Sequence, residues 1–209
     1  MKSMEKIRVL IADDHAIVRM GLASLLGTSK EIEIVGDAFD GEDAVRKSLT
    51  LRPDVVIMDL VMPRKDGVTA ISELCERLPG TRILVLTTFN SSEEISRALE
   101  AGAMGAAMKS SANDELITAV LTVAQGKRFL TPDIERLLKD DPPLPGLSPR
   151  QIEILESIVR GLTNKDISLE LGISLESVKS HIKILLAKLG AASRTEAASI
   201  AQRKHLLKN

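Results

Sequence analysis

The stretch Ile7-Arg8-Val9-Leu10-Ile11-Ala12-Asp13-Asp14 decides the fold of the front of this chain. A β-branched, apolar run without regular polar alternation reads as a strand buried on both faces, and it stops abruptly on two carboxylates. The pattern returns at Val55–Met58, closed by Asp59, and in weaker form at Ile32–Ala38, Ile83–Leu86 and Met104–Met108. Helical patterns fill the intervals at Ile17–Leu26, Gly41–Leu49, Val68–Leu78, Ser92–Ala101 and Asn113–Gln125. Cap signals stand in Ser91-Ser92-Glu93-Glu94 and Asn113-Asp114-Glu115. Five strands alternating with five helices predict an α/β domain, a doubly wound five-stranded parallel sheet covered on both sides.

Further along, Thr131 and Pro132 open a short helix over Pro132–Lys139, and Asp140-Asp141-Pro142-Pro143-Leu144-Pro145-Gly146 reads as a stiff extended linker. Beyond it the strand pattern vanishes. Helices are expected at Pro149–Val159, Asn164–Leu171, Leu175–Leu189 and Arg194–Ala201, separated by Gly161, Gly172-Ile173-Ser174 and Gly190. The chain thus divides into an α/β domain over residues 1–126, a linker with a short helix over 127–146, and a smaller all-α domain over 147–209. Charge follows this division. The overall balance of −1 conceals +4 from Leu147 onward and −5 before it, so two modules with different partners are expected.

Composition narrows the function. The single Cys75 excludes a disulfide framework and a Cys-rich metal site, and fits a reducing cytoplasm. No run reaches the roughly 18 apolar residues of a membrane span, and the first residues lack a signal-peptide pattern. With three Phe and neither Trp nor Tyr, platforms that stack single-stranded bases are not expected.

Ligands of open α/β sheets bind outside the carboxyl ends of the strands. Those ends carry Asp13-Asp14, Asp59, Thr87 and Lys109. Carboxylates converging there repel one another unless a cation joins them, and hard oxygen donors with room for water suit Mg²⁺. A carboxylate held beside a lysine and a hydroxyl is a candidate phosphoryl acceptor. Any one of these residues alone is more often a cap or a solvated loop residue; five at strand ends are harder to assign to chance.

The motifs Val9-Leu10-Ile11-Ala12-Asp13-Asp14-His15, Asp59-Leu60-Val61-Met62-Pro63-Arg64-Lys65-Asp66-Gly67, Leu86-Thr87-Thr88 and Lys109 resemble the receiver domain of two-component response regulators over about residues 5–126. That resemblance implies Asp59 as phosphoacceptor, with Mg²⁺ held by Asp14, Asp59 and the backbone carbonyl of Val61, and by Asp13 through water. It implies Lys109, Thr87 and Thr88 as the phosphoryl-binding and switch group, and a sensor histidine kinase as donor. Three departures stand out. Ala106 replaces the aromatic residue common in receivers, so the Thr87–Asn90 loop, with Phe89, is expected to carry the signal. Ser110 follows Lys109 where proline is common. Val61, being branched and apolar, cannot position a hydrolytic water, so a long-lived phosphoaspartate is expected.

In the tail, helix, tight turn, helix over Asn164–Leu189 gives a helix-turn-helix layout, with Lys179 and Lys183 side by side on the second helix. Val178, Ile182, Leu185, Leu186 and Leu189 should face the core. Two lysines alone would suit a solvated face. The runs Leu147–Leu155, Gly161–Ile167, Val178–Lys183 and Lys188–Ala197 resemble the LuxR-type DNA-binding domain from residue 147 to about 205, and the combination resembles the NarL/FixJ class of transcriptional regulators. This implies Lys179, Ser180 and Lys183 in the groove of double-stranded promoter DNA, and Thr163, Asn164, Lys165 and His181 against phosphates. It also implies dimerisation through the last helix and RNA polymerase as a further partner. Phosphorylation would release the helix-turn-helix or favour its dimers on DNA. Two rivals are a phosphoaspartate hydrolase, disfavoured because Val61 stands where a general acid would be needed, and a protein-docking adaptor with a helical tail.

Overall fold

A computed structural model of the chain describes residues 6–88, 92–143, 146–204 and 206–207. The chain forms two compact units, Met1–Pro142 and Pro143–Asn209. In the first, β1 (Ile7–Ala12), β2 (Ile32–Ala38), β3 (Val55–Met58), β4 (Arg82–Thr87), β5 (Gly105–Met108) and β6 (Phe129–Leu130) form one sheet, ordered β2-β1-β3-β4-β5-β6. Every pairing is parallel. The helices between them are α1 (Ala16–Leu26), α2 (Gly41–Leu51), α3 (Gly67–Arg77), α4 (Ser92–Glu100) and α5 (Asn113–Ala124), and α6 (Pro132–Asp140) closes the unit.

The unbroken apolar runs of the strands are explained by two separate cores. One face of the sheet sends Leu10, Val56, Met58, Ile83, Val85 and Ala106 against α2, α3, α4 and α6. The other sends Val9, Ile11, Val55, Ile57, Leu84 and Leu86 against Leu22 and Leu26 of α1 and Leu116, Val120 and Val123 of α5. With both faces covered, the inner positions of β1, β3 and β4 are apolar, and the polar residues Arg8, Arg82 and Thr87 fall toward the strand ends. Caps fix where helices begin: the Asp40 carboxylate accepts from the Asp43 amide at 2.7 Å, and Asp66 accepts from Thr69 at 2.8 Å.

Six strands stand where five were expected. The sixth is only two residues long, too short to show a period, and it is recruited by β5, with Gly105 opposite Phe129 and Ala106 opposite Leu130. The segment 127–146, expected as a linker with a short helix, therefore divides. Its strand and α6 pack with the sheet: the Thr131 amide donates to the Ala106 carbonyl at 3.2 Å, Ile134 is fully buried, and the Ser92 hydroxyl bonds Asp141 at 3.0 Å. The α5 cap also differs. Ala112, not Asn113, is the N-cap, and Asn113 is the first helical residue. Ser91, in the other expected cap signal, lies outside the described residues.

The second unit holds α7 (Pro149–Val159), α8 (Asn164–Leu171), α9 (Leu175–Leu189) and α10 (Arg194–Arg203) around Ile154, Leu155, Ile167, Val178, Leu185, Leu189 and Ala197. Capping boxes at Ser148/Gln151 and Thr163/Asp166 start α7 and α8. Gly172 ends α8 in the left-handed region (φ 63°), a conformation that glycine adopts without penalty, and so permits the tight turn into α9. Among the described residues no helix is long and apolar enough to cross a membrane.

The seating of α6 is open to measurement. Ile134→Ala should lower the stability of the first unit by about 2–4 kcal/mol in chemical denaturation, as for other buried Ile truncations. Ile17→Ala, at an exposed position of α1, should stay within about 0.5 kcal/mol.

Candidate metal centre and nucleic-acid interface

Register brings the chemistry to one edge. Ala12 of β1 lies opposite Met58 of β3, Met58 opposite Val85 of β4, and Thr87 opposite Met108 of β5, so the strands end together. The ladder runs one residue further: the Asp59 amide donates to the Ala12 carbonyl at 2.9 Å, and the Lys109 amide to the Thr87 carbonyl at 2.8 Å. Asp13, Asp14, Asp59, Thr87 and Lys109 are therefore brought to one edge of the sheet.

At that edge the Lys109 ammonium sits 2.7 Å from Asp59 Oδ2 and 2.5 Å from Asp13 Oδ2. Both carboxylates are buried, while Asp14 is exposed. The remaining oxygens are also engaged. Asp59 Oδ1 accepts from the Leu60 amide at 2.8 Å, and Asp13 Oδ1 from the His15 amide at 2.8 Å. Burial pushes the Asp59 pKa above its ordinary value, against the pull of Lys109, and the neighbouring Asp13 charge acts in the same direction as burial. For Lys109, burial alone would lower the pKa, but its contacts with Asp13 and Asp59 outweigh it and hold the ammonium above its ordinary value.

The loop after β3 is folded back on the acceptor. The Gly67 amide donates to the Leu60 carbonyl at 2.9 Å, and a Cβ on Gly67 would collide with the Asp59 carbonyl oxygen. The glycine is thus required by close backbone approach. Thr87 is fully buried beside the rim, Thr88 is exposed, and Val61 stands 45% exposed at the mouth of the pocket, where it offers no hydrogen-bonding side chain. Ala106 is fully buried, so no ring turns at that position, and Phe89 and Asn90 lie outside the described residues.

Two residues escaped sequence reasoning. Arg19, on the first turns of α1, donates to the Asp13 carbonyl at 2.8 Å and to Asp37 at 2.6 Å, which pins the backbone of the acidic corner. His15 joins the cluster itself: one donor atom each from Asp13, Asp14, His15 and Asp59 lies within 4.8 Å of the others. This donor set fits a divalent cation, because three carboxylates face one ammonium and retain negative charge. The signal for His15 was its adjacency to Asp14; Arg19 offered only its place one turn further along the helix.

In the second unit, α9 buries Val178, Leu185 and Leu189 and half-buries Ile182 and Leu186, and it presents Lys179, Ser180 and Lys183 to solvent. Lys179 pairs with Glu176 at 2.8 Å. Thr163 and Lys165 are exposed at the start of α8, and the Thr163 hydroxyl is engaged with Asp166 in the capping box at 2.6 Å. Asn164 is half-buried and accepts from Arg194 at 3.1 Å, which gives it a structural partner 30 residues away. His181 is half-buried on α9.

The chain matches the family of the response regulator receiver domain over residues 9–121, and that of bacterial regulatory proteins of the luxR family over residues 145–201. It belongs to the response regulators, with a receiver joined to a LuxR-type DNA-binding domain: a phosphoacceptor transcription regulator, not an enzyme. It is similar to the transcriptional regulatory protein LiaR of Bacillus subtilis, at 40% identity over 96% of this chain and 99% of the relative. With the oxygen regulatory protein NreC of Staphylococcus epidermidis it shares 37% identity over 96% and 99%. Among solved structures, a two-component response regulator RcsB–DNA complex is similar with TM-score 0.70 and 28% identity, over 95% of this chain and 98% of that one. The receiver implies a histidine kinase partner, and the LuxR-type domain implies DNA.

The ion pairs make the pocket's electrostatics measurable. Lys109→Met leaves Asp13 and Asp59 buried without their counter-ion and should cost about 3–5 kcal/mol at neutral pH. The Asp59 pKa is raised in the folded state and rises further without the lysine, so the folded chain binds more protons than the unfolded one as pH falls. The variant should therefore recover stability relative to wild type between neutral and mildly acidic pH, as read by thermal melts.

Proposed function

We propose that Asp59 accepts a phosphoryl group from a sensor histidine kinase and that its phosphorylation controls binding of α9 to promoter DNA. The observation carrying this reading is the pair of buried carboxylates, Asp13 and Asp59, clamped by the Lys109 ammonium at 2.5 and 2.7 Å. Asp14, Asp59 and the Val61 carbonyl would hold Mg²⁺, with Asp13 acting through water; when bound, the ion neutralises charge on the phosphoryl oxygens. An Asp59 carboxylate oxygen forms the new P–O bond while the P–N bond of the donor phosphohistidine breaks, its electron pair passing to the imidazole nitrogen, which takes up a proton. Lys109 remains paired with the oxygens of the product, and Thr87 and Thr88 supply hydroxyls at the rim.

The added group carries about −1.5 to −2 charges. In a pocket already crowded with carboxylates it draws Lys109 and the hydroxyls toward itself and reshapes the adjoining surface. The output is a dimer on two-fold related DNA sites, since one small helix-turn-helix makes few contacts. Lys179, Ser180 and Lys183 enter the groove, and Thr163, Lys165 and His181 meet phosphates. Asn164 is a phosphate contact only if it leaves Arg194 or shares its amide with both. RNA polymerase is the remaining partner of such a regulator.

Treated with acetyl phosphate and Mg²⁺, the wild-type chain should dimerise in light scattering and bind promoter duplex with steep salt dependence. Asp59→Asn should do neither. A variant responding like wild type would overturn the assignment. Separately, Val61→Asn places an amide at the mouth of the pocket that can orient water, and it should shorten the lifetime of the phosphoaspartate severalfold. Phosphate release identical to wild type would remove Val61 from that role.

A further inference from the structure

The solvent-facing side of α9 is not wholly polar. Ile184 stands 46% exposed on it, one residue before the fully buried Leu185. A single exposed isoleucine is ordinary on a protein surface and carries no meaning by exposure alone. Its place on the helix does. At roughly 100° per residue, Ile184 falls about 40° around the axis from Ser180 and about 6 Å further along it, one turn nearer the C-terminus. Lys179, Ser180 and Lys183, all exposed, share that side, while Val178, Leu185 and Leu189 turn to the core. Leu175, the other large apolar residue exposed on α9, falls about 140° from Ser180 and lies off this face.

Phosphates are common to every DNA sequence, so lysines that meet them carry no base preference. What an isoleucine can recognise in the major groove is the C5-methyl group of thymine, the apolar mark on an otherwise polar set of base edges. We propose that Ile184 enters the major groove beside Lys183, packs on a thymine methyl group and thereby sets part of the chain's base preference. DNA is the occupant because Ile184 continues the lysine-bearing face of a LuxR-type domain, whose positive charge complements phosphate. The inference rests on the reading of α9 as the groove helix. It adds a residue whose contribution is apolar and therefore insensitive to salt. Ile184 is no part of the helical core, so shortening it should leave the fold intact.

The probe is the duplex that the full-length chain, treated with acetyl phosphate and Mg²⁺, recovers from a randomised pool. Each thymine is replaced in turn by uracil, in both half-sites together, which removes the methyl group and keeps the hydrogen-bonding edge. At one position the exchange should weaken wild type by roughly tenfold, from about three- to fourfold per buried methyl group. For Ile184→Ala the same exchange should cost less than about twofold, as a double-mutant cycle requires of a direct contact. Ile184→Val should keep most of the discrimination, and on a duplex of unrelated sequence at low salt wild type and Ile184→Ala should bind alike. A wild type indifferent to uracil at every position, or an Ile184→Ala chain discriminating as strongly as wild type, would overturn the proposal. So would loss of dimers by Ile184→Ala in light scattering with thymine discrimination retained, which would assign the side chain to a second copy. Failure of the underlying reading looks different: wild type recovers no duplex from the pool, or Lys179→Ala and Lys183→Ala keep the wild-type affinity and salt slope.

Discussion

A single ammonium group, that of Lys109, holds two buried carboxylates together at the end of the sheet. Two like charges about 4 Å apart repel by about 4 kcal/mol at the effective dielectric of a protein surface. Such a pair does not persist without a counter-charge. The lysine supplies one positive charge and leaves the corner negative, so the site is stable yet receptive to cations. The geometry depends on the backbone more than on the side chains. Ladder bonds carried past the last strand residues fix Asp59 and Lys109, Arg19 fixes the Asp13 carbonyl, and Gly67 lets the following loop lie against the acceptor.

Much of this was legible from residues alone. The inner part of β1 and all of β3 were readable because burial on both faces leaves an unbroken apolar run, whereas β2, at the sheet edge, carries Glu33 and Asp37 and shows the pattern only in weaker form. The carboxylates were readable because an open sheet collects function at its carboxyl edge. What escaped was of two kinds. Strand β6 has too few residues for any period, and its existence depends on the vacant side of β5. The contact of Arg194 with Asn164 spans 30 residues and two helices, so it belongs to tertiary packing, for which a linear pattern holds no sign. The turn before α9, by contrast, was written locally in Gly172 and Ser174, and the structure follows it.

The two halves reach their stability by different means. The receiver buries two layers of aliphatic side chains against a sheet whose middle strands are dry on both faces. The helical unit has one small core and leans on caps at the starts of α7, α8, α9 and α10, each a side-chain oxygen meeting a free amide. Its α9 turns one stripe to that core and leaves Lys179, Ser180 and Lys183 exposed to solvent.

The small side chain of Ala106 has a structural counterpart in the way the sheet is finished. Its carbonyl receives the Thr131 amide, and α6 follows at once, with Ile134 in the same core as Ala106. A fragment ended near residue 126 would strip β5 of its neighbour and leave a raw sheet edge flanked by an uncovered apolar trough, the kind of border along which chains adhere to one another and aggregate. A fragment continued through Pro142 would keep that border sealed by a two-residue strand and a proline, too short and too blunt to recruit another molecule.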